Sequence, residues 1–208
     1  MKVLGVGLSR TGTLSLHSAL EILGLRSLHY DTVRLNDVLD GSNHRPDFRR
    51  YDDLDALLDL PTAYFYDELM LAYPECKCVL TVRDLDSWWR SVSRHFNKHH
   101  PAQPPGYGLK RRIKRYLTPG KAFDQPVGRD YNRFRIQLRN VVYGSTVAHE
   151  FIYKKKYLEH NQRARNNIPP ERLLVMDITA GDGWDKLCPF LELPRPSVQF
   201  PHKHRTGG

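Results

Sequence analysis

The chain has 208 residues, and its 32 Lys and Arg against 23 Asp and Glu give a formal charge of +9 before any histidine is counted. That balance implies one basic, compact domain spanning residues 1–208 and an anionic partner. Hydrophobic residues at 40% exclude general disorder, and no apolar run approaches the roughly 18 to 20 residues needed to cross a bilayer.

The N-terminal stretch MKVLGVGLSRTGTLSL has its apolar run broken by glycines and by Arg10, which is unlike a signal peptide. The expectation is a cytoplasmic protein starting at Met1. Three cysteines, Cys76, Cys78 and Cys188, are too few for a disulfide framework or a structural zinc site and read as reduced thiols.

In chain order, KVLGVGL reads as a short strand, Ser9 to Thr13 as a glycine loop, and LSLHSALEILG as a helix with Leu16, Leu20 and Leu23 at helical spacing and Gly24 at its C-terminal stop. A polar stretch, GSNHRPDFRRYDD, precedes DALLDLP, whose apolar end is consistent with a buried strand stopped by Pro61. TAYFYDELMLAYP predicts a helix closed at Pro74. KCVLTVR is the clearest strand, and DLDSWWRSVSRHF continues as a helix with Trp88, Val92 and Phe96 on one face. From Arg94 to Phe123 there are eight Lys or Arg and no acid, with prolines and glycines around a basic run, so a lid-like, flexible segment is expected at about 97–124. Residues 130–167 read as two helices meeting near Gly144, RLLVMDI as the last strand, and GDGWDKLCPFLEL as a short terminal helix. Strands alternating with helices imply an α/β, three-layer fold: a central parallel sheet flanked by helices, with a P-loop-like strand, loop and helix at the N-terminus.

A strand, a glycine-bearing loop and a helix start together make an anion site, because backbone N–H groups and the helix N-terminus face the ligand. The nucleotide triphosphatase pattern GxxxxGK[ST] is not met, since Thr13 and Leu14 follow Gly12, and GxGxxG fails at its third glycine. A tight strand-to-helix turn without ligand is the plain alternative.

The loop Ser9-Arg10-Thr11-Gly12-Thr13 resembles the 5′-phosphosulfate loop of sulfotransferases, usually written with Lys-Ser-Gly-Thr. Arg83-Asp84 followed by Ser91 resembles their 3′-phosphate motif. AYFYDEL, AYPECKCVLTVRDLDSWWRSV, VYGS and LLVMDITAGDGWDKLCPFL look like the short sulfotransferase-like family, so the resemblance covers nearly the whole chain. It implies in-line transfer of a sulfuryl group from 3′-phosphoadenosine 5′-phosphosulfate (PAPS) to an acceptor hydroxyl or amine, with 3′-phosphoadenosine 5′-phosphate (PAP) as product and no metal. The implied acceptor is a small molecule or a glycan, with no nucleic acid and no membrane span involved.

The resemblance implies a phosphosulfate nest of Arg10, Thr11, Gly12, Thr13, Leu14 and Ser15, and a 3′-phosphate site of Arg83 and Ser91. Lys203, with Arg205, is a further candidate for the 3′-phosphate, although the family pattern RKGxxGxW is absent. Arg10 replaces the usual lysine; its guanidinium stays charged and cannot donate a proton, so its implied role is electrostatic. In the heparan-type enzymes the base is a Glu five residues before a Tyr-Phe pair, and Asp59 stands at that spacing before Tyr64-Phe65. Asp59 is therefore the catalytic candidate beside Arg10, with a turn cap before Leu60-Pro61 as its plain alternative. His17 and His29 are rival bases. Of Trp88 and Trp89, one is expected in the core and one near the cofactor. His95 and His99 are best read as a solvated face. Two other readings stay open: a small-molecule kinase, disfavoured by the missing GK[ST], and a polyanion-binding module built on KRRIKR.

Overall fold

In the computed structural model the described residues are 1–98 and 129–202. The first strand, β1 (Val3–Gly5), leads through the glycine loop into α1 (Thr13–Ile22), then β2 (Ser27–His29), a short α2 (Asn36–Leu39) and β3 (Ala56–Leu58). There follow α3 (Tyr66–Ala72), β4 (Lys77–Thr81), α4 (Leu85–Lys98), α5 (Arg129–Tyr143), α6 (Glu150–Asn167), β5 (Leu173–Met176) and α7 (Trp184–Leu191). The strands form one sheet in the order β2-β3-β1-β4-β5. Every pairing is parallel, with Gly5 opposite Leu58 and Val79, and His29 opposite Leu58.

Alternation along each strand dictates the layers, because successive side chains point to opposite faces. Val3, Ala56, Leu58 and Val79 join Leu16, Leu20, Trp184 and Leu187 in one buried cluster, so α1 and α7 cover that face. Leu4, Leu57, Cys78 and Leu80 join Tyr66, Leu69, Ala164 and Ile168 in a second, so α3 and α6 cover the other. Both faces are thus dry, which is why these strands read as continuous apolar runs. A third cluster of Trp88, Val92 and Phe96 with Phe134, Leu138, Tyr143, Tyr153 and Tyr157 ties α4, α5 and α6 together around Leu8 and Leu60. The expected three-layer α/β architecture is what the chain adopts.

Gly24, with φ of 80°, closes α1 as its position in sequence implied, and the N–H of Leu25 donates to the carbonyl of Leu20. Gly144, with φ of 74°, lies between α5 and α6. The helix expected to run from residue 62 begins only at Tyr66, because residues 60–65 first turn sharply, with Ala63 N–H donating to Asp59 O and Tyr64 N–H to Pro61 O. The basic segment expected to act as a lid lies, from residue 99 on, outside the described residues. Cys76, Cys78 and Cys188 are buried free thiols. Among the described residues no helix is long and apolar enough to cross a membrane.

Candidate active site

In an all-parallel sheet every strand delivers its following loop to the same edge, so the residues after β1, β2, β3 and β4 converge there. Strand β1 is central, flanked by β3 and β4, and the loop between β1 and α1 sits between the ends of both.

Packing rather than length fixes the shape of that loop. At Gly7 a β-carbon would stand 2.0 Å from Thr81 Oγ1 and 2.5 Å from Thr81 O, so the backbone there lies directly against the end of β4. Thr11 Oγ1 donates to Leu8 O at 2.6 Å and accepts from Thr81 Oγ1, also at 2.6 Å. The Trp88 indole N–H donates to Ser9 O at 3.0 Å. Arg10 and Gly12 both take left-handed backbone, with φ of 74° and 103°, which curls the loop into a concavity of the kind that binds anions. Gly12 is the N-cap of α1, and the N–H groups of a helix's first turn have no intrahelical acceptor. Thr11, Thr13 and Ser15 are buried in this stretch while Gly12 and Leu14 are partly exposed.

Two cationic side chains meet over the concavity. Arg10 donates through Nε to Ser91 Oγ at 3.1 Å, and Arg83 donates through Nη1 to Arg10 O at 3.4 Å and through Nε to Ser87 Oγ at 2.9 Å. Burial first, then repulsion from Arg83, lowers the Arg10 pKa, with Asp59 opposing. An anion held between the two guanidinium groups would relieve that repulsion. The Arg83 backbone is itself clamped: its N–H donates to Tyr157 Oη, and Tyr157 Oη donates to its carbonyl, both at 2.8 Å.

Asp59 follows β3 with φ of 63° and is 5% exposed. Its Oδ1 accepts from Ser9 Oγ at 2.5 Å and from Leu60 N–H at 2.8 Å. Its Oδ2 accepts from Thr13 Oγ1 at 3.1 Å and faces His29 Nε2 at 3.2 Å. Burial alone raises a carboxyl pKa, yet the His29 hydrogen bond and charge, with the bonds from Ser9 and Leu60, outweigh it and hold Asp59 below its ordinary value. Asp59 thus fills the turn-cap role toward Leu60 and also lies against the loop between β1 and α1.

Of the residues singled out by sequence, Arg10, Thr11, Gly12, Thr13, Leu14, Ser15, Arg83, Ser91 and Asp59 share this one edge. Lys203 and Arg205 lie outside the described residues, as does His99. His17 points away, to Ser27 Oγ at 2.8 Å and Glu21 at 3.5 Å, whereas His29 joins Asp59. Trp88 is the core member of the tryptophan pair, fully buried with its indole bonded to the loop backbone, while Trp89 packs on the third cluster. Ser9 was read only as the first residue of the loop, and Ser87 and Tyr157 were not singled out. Ser87 had a visible signal, standing four residues before Ser91 on the same helix; Tyr157, 74 residues from Arg83, had none. Among the described residues no group of three or more His, Cys, Asp or Glu is placed to hold a metal ion.

The family model for the sulfotransferase domain matches residues 2–208, and the chain belongs to that family. A relative from Aspergillus versicolor described as Ava biosynthesis cluster protein M is 29% identical over 237 residues, covering 97% of this chain and 80% of that protein.

Proposed function

We propose that the protein transfers a sulfuryl group from PAPS to the hydroxyl or amine of a small-molecule or glycan acceptor. Family membership supports a sulfotransferase. The observation that carries the donor assignment is the meeting of Arg10, Arg83, Ser87 and Ser91 over a left-handed loop at a helix start, which offers separate cationic contacts for two ends of one anion. In this reading the loop and first turn of α1 hold the phosphosulfate, and Arg83 with Ser87 and Ser91 holds the 3′-phosphate.

PAPS supplies an activated sulfur with a good leaving phosphate. Positioning and electrostatic stabilisation then provide most of the acceleration, as in phosphoryl transfer. Arg10 stabilises charge that develops on the leaving oxygen, and the site around Asp59 supports removal of the acceptor's proton. Calorimetric titration with PAP in metal-free buffer tests the donor site: micromolar binding is expected, weakened by about 1.5 to 3 kcal/mol in Arg83→Ala, the range for a charged hydrogen bond. A wild-type protein that does not bind PAP would falsify the assignment.

A further inference from the structure

The ionised form of Asp59 has about four acceptor sites on two oxygens, and Ser9, Leu60, Thr13 and His29 address all four from within the protein. A carboxylate so engaged and so buried has no free lone pair to offer an incoming hydroxyl. His29 differs. It is the last residue of β2, in register with Leu58, the residue before Asp59, so the sheet itself sets the pair side by side. Its side chain is 20% exposed against 8% for Asp59.

The tautomer follows from the partners. His29 Nε2 lies 3.2 Å from Asp59 Oδ2 and 3.0 Å from Thr13 Oγ1; an ionised carboxylate oxygen only accepts, so Nε2 carries the hydrogen. Nδ1 is then the nitrogen with the lone pair in the neutral ring, and among the described residues no hydrogen bond engages it. Contact with Thr13 also sets the ring beside the phosphosulfate loop. This is the logic by which a carboxylate orients one imidazole nitrogen so that the other can act as a base.

Resting on the sulfuryl-transfer reading above, we infer that His29 takes the acceptor's proton on Nδ1, and that Asp59 is the positioning residue that orients its ring. In the step, the acceptor O–H (or N–H) bond breaks with its proton passing to Nδ1, and the acceptor atom forms a bond to sulfur. The bond between sulfur and the bridging oxygen breaks with its electron pair going to the phosphate of PAP. The imidazolium that results is stabilised by Asp59. The charged and titratable groups around the pair are His17, whose ring centroid is 5.7 Å from that of His29, Glu21 beyond it, Arg10 facing Asp59, and the Tyr30 and Tyr143 phenols.

The test compares His29→Gln with Asp59→Asn, following conversion of PAPS to PAP with a phenol, an aliphatic alcohol and an amine as acceptors across about pH 5 to 9, alongside PAP titration of each variant. His29→Gln is expected to lose about 10²- to 10⁴-fold in kcat, the range for general acid–base catalysis, with PAP affinity kept. Asp59→Asn is also expected to be slowed, with PAP affinity likewise kept. Nitrogen NMR of the His29 ring supplies a readout independent of turnover: the neutral ring carries its hydrogen on Nε2 in the wild type and loses that preference in Asp59→Asn. Near-normal kcat in His29→Gln with an inactive Asp59→Asn would overturn the inference and make Asp59 itself the base, as would an Nδ1–H tautomer in the wild type. Parallel loss of PAP binding and kcat in His29→Gln would also overturn it, as a purely structural effect. Absence of PAP binding in the wild type removes the parent reading instead.

Discussion

Gly7 shows how one residue type is forced by a neighbour far away in sequence. A β-carbon there would meet three atoms of Thr81, two of them backbone, at 2.0, 2.5 and 2.8 Å, and backbone inside a parallel sheet cannot swing aside. Gly7→Ala is therefore expected to lower stability by about 2 to 3 kcal/mol, the upper range for overpacking, read as a lower urea midpoint at unchanged slope. A midpoint equal to wild type would show that the loop can lift off β4. The glycines themselves were legible as marks of a strand-to-helix loop, but the reason for Gly7 needed β4 beside β1. The left-handed backbone of Arg10 and Asp59, with φ of 74° and 63°, was not legible at all. Asp tolerates that region better than Arg does, and at both positions the contacts of Ser9, Arg83 and Leu60 hold the backbone there. Asp59 was found by spacing alone, and its partner His29 carried no spacing signal because β2 and β3 are adjacent only in the folded sheet.

At the scale of elements, the strong periodicities were readable: Trp88, Val92 and Phe96 are buried on one face of α4 as their spacing required. Weak ones were not. Strand β2 has three partly exposed residues at the sheet edge, too few for an alternation to register, and the start of α3 is displaced by the turn that Asp59 begins. The role of α6 at the site was also hidden, since it reaches Arg83 through one hydroxyl. Tyr157 stacks on Trp88 with centroids 4.3 Å apart and clamps both polar backbone atoms of Arg83, so α6 sets where the β4–α4 turn presents the Arg83 guanidinium. Tyr157→Phe keeps the ring and removes both bonds. It is expected to cost about 1 to 2 kcal/mol of stability and to weaken PAP binding about 3- to 10-fold, each hydrogen bond contributing roughly 0.5 to 1.5 kcal/mol. Calorimetric titration measures the second effect; unchanged affinity would mean that the Arg83 backbone keeps its position without α6.

For the whole molecule, the net charge of +9 favours an anionic ligand, but response to acid depends on a few buried groups. His160, on α6, places Nε2 at 2.7 Å from the Val6 carbonyl, just beyond β1, so it donates there as a neutral ring. Burial is the main cause that lowers its pKa, to about 4, with the Val6 bond opposing. The folded protein thus resists protonating a residue that the unfolded chain protonates below about pH 6.5. The stability that neutral His160 contributes is full above that value and is lost as pH falls toward 4. Asp59, held below its ordinary value, acts in the same direction at lower pH: its contribution is present above the unfolded carboxyl pKa and disappears as that carboxyl is protonated. His160→Gln retains an amide donor for Val6 and removes the titration. Between about pH 7 and pH 4.5 the wild type is expected to lose about 2 to 3 kcal/mol more unfolding free energy than this variant, measured by urea denaturation at each pH. Parallel pH curves for the two proteins would show that His160 is protonated without cost in the folded state, and the acid sensitivity would then have to come from other groups, such as His17 and the carboxylates.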